Sequence, residues 1–189
     1  MMRDPRDVVV SRHRQHPEVY WANLGQWNRV HREIRGLAGH PRFMLVRYED
    51  LVAEPDAVQD RIAAWLPATE RRARFSDFAR VAAPAPGAER ALGGVRAIGG
   101  ASIGAWRAAP ARVLGQMRLH GDPGPALREF GYETDEAWRA ALEGIEPDTA
   151  PGYWPDRPRR SLRRKLKRWR GLAGYARRST AARIRSAPR

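Results

Sequence analysis

Apolar positions between Val19 and Leu37 recur at three- and four-residue steps. Tyr20, Leu24, Trp27, His31 and Ile34 share one face, and Val30 and Leu37 widen it, so the spacing predicts an amphipathic helix that Gly36 and Gly39 stop. The aromatic members of this stripe suit core packing better than ligand contact. Residues 42–48, Arg-Phe-Met-Leu-Val-Arg-Tyr, form a short apolar run between Pro41 and an acidic pair, the pattern of a buried strand. Met1-Met2 reads as the stub of another strand. Pro55 opens a second helix, with Val58, Ile62, Trp65 and Leu66 facing inward and Pro67 closing it. Residues 82–105 are rich in Gly, Ala and Pro with weak periodicity and read as a long loop, and short helices are expected over 110–119, 123–130 and 135–142. Strand, helix and strand in this order predict an α/β unit with a parallel sheet.

The opening stretch carries the first candidate chemistry. Asp4 can cap a helix and Pro5 suits its first turn. Arg6, Asp7 and Val8-Val9-Val10 follow, ending at the hydroxyl of Ser11. A new helix offers free N–H groups and a positive dipole end, Arg3 stands just ahead with a planar charged fork, and Ser11 lies about two turns further on. The same residues also read as a surface turn with internal ion pairs ahead of three core valines.

Charge divides the chain. All 21 Asp and Glu lie at or before Asp156, whereas 14 of the 35 Lys and Arg fall between Arg157 and Arg189, so the body is neutral and the net +14 belongs to the tail. Within that tail Leu162, Leu166, Trp169 and Leu172 make an apolar line among Arg and Lys residues. Such a helix can lie on an anionic membrane, pack on its own domain, or remain a solvated tail. No nucleic-acid-binding motif accompanies it, and nucleic acid is not the expected partner. There is no cysteine, hence no disulfide framework or thiolate metal site, and no apolar run long enough to span a bilayer. No signal-peptide pattern opens the chain, so the expected location is cytoplasmic, membrane-peripheral if the tail engages lipid.

The opening Arg-Asp-Pro-Arg-x-x-x-x-Ser pattern resembles the 3′-phosphate-binding motif of sulfotransferases that use 3′-phosphoadenylyl sulfate (PAPS), with Arg3 and Ser11 at the matching places. Two later stretches resemble the same family in the same order. Val46-Arg47-Tyr48-Glu49-Asp50-Leu51 is similar to its VRYEDL segment, and Ser102-Ile103-Gly104-Ala105-Trp106-Arg107 to its late Gly-x-Trp segment. Phe130-Gly131-Tyr132 matches the usual end of the catalytic domain, so the likeness covers roughly residues 1–135. Bacterial and protein-tyrosine sulfotransferases are the nearest likenesses. The fold this implies is α/β, a P-loop-type sulfotransferase fold with a parallel sheet flanked by helices, here incomplete and mostly helical, with a basic C-terminal helix or tail.

The resemblance further implies a site. Arg3 and Ser11 would hold the 3′-phosphate, Tyr48 would contact the nucleotide, and Arg96 or its loop would close over it. PAPS is the implied cosubstrate and 3′,5′-ADP (PAP) the product, with a hydroxyl or amine as acceptor and no metal. Two positions depart from the pattern: Gln15 stands where the tyrosyl branch has a basic residue, with Arg14 as a substitute, and Ala105 precedes Trp106 where a basic residue is usual. Trp106 itself suits packing better than cofactor stacking. The family's phosphosulfate-binding loop and its catalytic base should precede Arg3, and neither occurs in these residues. No Walker GxxxxGK[ST] occurs either, which argues against a P-loop kinase or ATPase.

No residue within the chain replaces that base. His13 and His16 form HxxH without further ligands and read as exposed helix histidines, Glu49 and Asp50 would point to opposite faces of a strand, and Ser102 has no visible His or Asp partner. The organisation expected is therefore 1–145 as the C-terminal part of a sulfotransferase domain, 146–158 as a proline-rich linker, and 159–189 as a basic amphipathic helix or tail. The chain is expected to be a truncated form, inactive alone, with an exposed apolar edge where further strands of the sheet belong. The alternative is a non-catalytic module acting through its basic tail on an anionic membrane or nucleic acid.

Overall fold

The computed structural model describes residues 1–13, 16–67, 72–84 and 95–153. The basic tail over 159–189, the end of the proline-rich segment, and Arg14 and Gln15 lie outside the described residues.

The first helix, α1 (Pro5–Val10), begins as its sequence demands, with Asp4 as N-cap and Pro5 in the first turn. It is shorter than the motif suggests. Ser11 is its C-cap, already extended at φ −62 and ψ 131. Pro17 supplies the reason the helix does not resume, because it lacks an N–H and biases His16 towards extended backbone. The chain instead turns into a hairpin, β1 (Arg12–His13) against β2 (His16–Tyr20), antiparallel with Arg12 opposite Tyr20 and a register shift. The two histidines therefore flank a hairpin turn, not a helix face, and Tyr20 belongs to a strand.

The amphipathic helix starts later than the periodicity implies. Asn23 accepts the Gln26 N–H at 2.7 Å and caps α2 (Leu24–Arg35). Leu24 and Trp27 are buried and Ile34 packs on the core, but Val30 and Leu37 are 42% and 44% exposed, so the apolar stripe is narrower than expected.

The expected parallel sheet is reduced to one bridge. Met2 N–H donates to Val46 O at 2.8 Å and Tyr48 N–H to Met2 O at 2.7 Å, which pairs Met2 with Arg47 in parallel. Residues 43–46 are not a strand, since a ladder needs a partner of more than one residue. Tyr48 then opens α3 (Tyr48–Ala53), so Glu49 and Asp50 lie on a helix. Pro55 starts α4 (Pro55–Trp65) as its sequence predicts, and Val58 is buried on it. Trp65 and Leu66 do not face inward: they end the helix at 43% and 48% exposure, and Trp65 Nε1 donates to Pro41 O. A 3₁₀ turn (Phe75–Asp77) leads into the single turn of α5 (Phe78–Val81).

Residues 105–142 match the expected short helices closely. A 3₁₀ turn (Ala105–Ala108) precedes α6 (Pro110–His120), followed by α7 (Gly124–Glu129) and a 3₁₀ segment (Ala137–Leu142). The architecture is thus mixed α/β, dominated by helices, with a two-stranded antiparallel sheet among the described residues. Its core joins the opening residues to the 106–142 stretch: Met2, Val9, Leu24 and Trp27 pack with Trp106, Val113, Leu127, Trp138 and Leu142. Each large apolar side chain so buried contributes about 1.5–3 kcal/mol. No described helix is long and apolar enough to cross a membrane.

Of the proline-rich segment, residues 146–153 lie against this body. Asp148 N–H donates to Ala111 O, Arg112 Nη1 donates to Ala150 O at 2.6 Å, and Tyr153 N–H donates to Tyr20 O at 2.7 Å. Tyr20 pairs with Gly152 in a parallel bridge.

Candidate functional site

Three stretches that are distant in sequence meet just ahead of α1. Arg3 follows the bridge residue Met2, Tyr48 begins α3 on the other side of that bridge, and Ser102 sits in the turn before Trp106. The Arg3 guanidinium lies over the Tyr48 ring at 4.7 Å, and its Nη2 donates to Ser102 O at 2.5 Å. Tyr48 Oη and Ser102 Oγ share a hydrogen bond of 3.0 Å. Arg3 O accepts the Trp27 indole N–H at 3.0 Å, which ties the residue to α2. Backbone pairing of Met2 with Arg47 fixes Arg3 beside Tyr48, so this parallel bridge positions the cluster.

Carboxylates of the chain surround it. Glu49 Oε1 accepts the Asp4 N–H at 3.0 Å. Asp4 is itself buried, accepts the Arg6 N–H at 2.8 Å, and pairs with the Arg6 guanidinium at 2.7 Å. The first turn of α1 is therefore capped by its own carboxylate, and its N–H groups do not form the open anion grip that the sequence suggests. Asp50 pairs with Arg47 and Arg61. Both acids of the Glu49-Asp50 pair hold structure together, and neither faces the other.

Arg6 is 2% exposed and paired with two carboxylates, although its Nη1 makes no hydrogen bond with a described residue. Asp4 and Glu133 (2.6 Å) flank it, and it stacks over Trp106 at 4.4 Å and Trp138 at 5.0 Å. Burial alone lowers its pKa, but the two carboxylates outweigh burial and raise it, so Arg6 stays charged. Trp106, at 1% exposure, packs between Arg6 and Arg107 and meets Trp138 edge to face. Its indole is part of the core, not an open stacking surface.

The other expected site residues make no contact with Arg3. Ser11 lies at the far end of α1, about 9 Å of helix away, and its hydroxyl donates to Asp7 O at 2.9 Å. Arg96 is exposed and makes no hydrogen bond or ion pair with a described residue. His13 stacks on Tyr153 and meets His16 and Trp21 at a tilt. Among the described residues no group of His, Cys, Asp and Glu is arranged to hold a metal ion.

The residue that the sequence reading missed is Asp7. It is 1% exposed, and its carboxylate takes the Gly104 N–H at 2.8 Å and the Trp106 N–H at 3.0 Å while lying 3.8 Å from Arg3 Nη2. The i,i+4 spacing of Arg3, just ahead of the N-cap, and Asp7 in the first turn was the available signal.

Arg3 suits a phosphate oxygen in two respects. Its guanidinium keeps 21% of the side chain exposed, and its Nε is buried without a hydrogen-bond partner among the described residues. Beside it lies an open cleft of about 250 Å³, lined by Met1, Met2, Val8, Trp21, Trp27 and Val30 among others.

Comparison with protein-family models, curated proteins and solved structures finds no match to this chain.

Proposed function

We propose that this chain forms the 3′-phosphate side of a PAPS-dependent sulfotransferase, transferring a sulfuryl group to a hydroxyl or amine acceptor. The observation that carries the reading is convergence. Arg3, Tyr48 and Ser102 come from three separate stretches that resemble that family, and they contact one another through the distances given above.

In this reading Arg3 holds the 3′-phosphate as a fixed, permanently charged fork. Tyr48 orients that fork through its ring and meets the nucleotide with its hydroxyl. Ser11 joins only if its hydroxyl leaves the Asp7 carbonyl, and Arg96 is the exposed cation that would close over the nucleotide. The sulfuryl group belongs to the donor: its bond to the bridging phosphate oxygen breaks as the acceptor oxygen or nitrogen bonds sulfur, and PAP departs. No described residue is placed as the base that takes the acceptor proton, so binding, not turnover, is the property to measure.

Calorimetric titration of the 189-residue chain with PAP and with 5′-AMP tests this directly. The expected result is PAP binding at least tenfold tighter than 5′-AMP. Arg3→Ala should abolish that preference, and Ser11→Ala should weaken it. Equal affinity for the two nucleotides, or a preference untouched by Arg3→Ala, would overturn the assignment.

A further inference from the structure

The turn before Trp106 is fastened to α1 by one buried carboxylate. Gly104 adopts φ +73, a left-handed conformation that glycine allows without strain, and this aims its N–H and that of Trp106 at a common point. Converging N–H groups of this kind make an anion-binding concavity. Here the anion is part of the chain: Asp7 Oδ2 takes Gly104 and Oδ1 takes Trp106. The same turn presents the Ser102 carbonyl to Arg3 Nη2 and the Ser102 hydroxyl to Tyr48. Arg3 thus owes its direction to a carbonyl whose position Asp7 sets.

We infer that Asp7 is the positioning residue of the Arg3 site, acting through the 102–106 turn and touching no ligand itself. The inference rests on the phosphate-binding reading above. Two physical effects of Asp7 have opposite sign, which makes the inference testable. As a bare charge 3.8 Å from Arg3, Asp7 weakens the binding of any anion there, and removing the charge strengthens it. As a positioner, it keeps Arg3 aimed, and removing it weakens binding. Asn at this position has one acceptor oxygen and presents an NH₂ to the second N–H, so the turn loses a bond and acquires a donor–donor conflict.

The experiment compares the 189-residue chain with its Asp7→Asn variant, titrating PAP and 5′-AMP into each. Positioning predicts that PAP affinity falls at least tenfold while 5′-AMP affinity stays within twofold, a split that general destabilisation does not produce. Hydrogen exchange of the unliganded chains should show faster exchange at the Gly104 and Trp106 amides and at Arg3 Nε in the variant. Should Asp7→Asn fail to fold, Gly104→Ala displaces the same turn with both charges intact. There an added Cβ meets Arg107 Nη1 at 2.6 Å on a backbone that disfavours it. It should likewise erase the PAP preference.

Tighter PAP binding by Asp7→Asn, or an unchanged preference in either folded variant, overturns the inference. If the unaltered chain prefers PAP, Arg3→Ala removes the preference and Asp7→Asn keeps it, the positioning role alone falls. If the unaltered chain shows no preference, the phosphate reading falls and the role of Asp7 falls with it.

Discussion

A Cβ built on Gly115 stands 1.9 Å from the carbonyl oxygen of Asp148. That contact is backbone against backbone, so no side chain can swing away to relieve it. Gly115→Ala should cost about 3 kcal/mol, read as a shift in the urea unfolding midpoint, because α6 must then separate from residues 146–153. The sequence offers no hint of this, since Gly115 looks like a weak point in a helix and its reason lies 33 residues away. The reading of Trp106 as packing holds: Arg6, Arg107 and Trp138 enclose its indole, though two of these partners are distant in sequence. Asp7 was not legible in its role. The Arg3–Asp7 spacing announces an ion pair, but nothing near Asp7 in sequence announces that its oxygens serve amides beyond residue 100.

At the scale of elements, local signals fixed helix starts better than helix ends. Pro5, Pro55 and Pro110 each stand in the first turn of a helix. Asn23 marks the true start of α2, which the apolar periodicity placed several residues early by counting Tyr20. Asn23→Ala leaves the Gln26 N–H without its acceptor and should destabilise the chain by about 1 kcal/mol, measurable by chemical denaturation. The hairpin was missed because the Asp4-Pro5 helix start was carried on through Ser11 to the two histidines, although three β-branched valines favour helix weakly and Pro17 vetoes it from outside that window. The strand at 42–48 was over-read for a different reason. An apolar run proves burial, not pairing, and pairing depends on neighbours that the run itself does not supply.

Across the whole molecule, residues 146–153 act as a strap closed by polar contacts, and these respond to pH. Burial raises the Asp148 pKa, but the Ala150 N–H, the Tyr20 hydroxyl and the charges of Arg112 and Arg12 outweigh it, so the carboxyl titrates below its ordinary range. A lowered folded pKa means stability that is fully present above the unfolded value, about 3.9, and lost as pH falls through the folded one. Asp122, held by Arg139 and the Gly124 N–H against its own burial, adds to the same loss. Tyr20 is shifted upward, by burial first and then by Asp148, so its contribution is kept below about pH 10 and lost above. Urea midpoints should therefore fall between pH 5 and pH 2, on the order of the unfolded carboxylate range. Asp148→Asn should flatten that fall and cost about 1 kcal/mol at neutral pH. A parallel slope in the variant would show that the strap's charge is irrelevant.

The contacts that build the Arg3 cluster also set a schedule. Asp7 meets Gly104 and Trp106 across 97 and 99 positions, and Arg3 meets Ser102 across 99. Closing so long a loop precedes any reward from the contact, which slows folding. At a synthesis rate of roughly 5–20 residues per second, the opening motif waits several seconds outside the ribosome before its partner turn exists. During that interval Met2, Val9 and Trp27 have no Trp106 or Leu127 to cover them. The Arg3 cluster is therefore completed only after the residues beyond 100 are made, and its apolar neighbours stay uncovered until then.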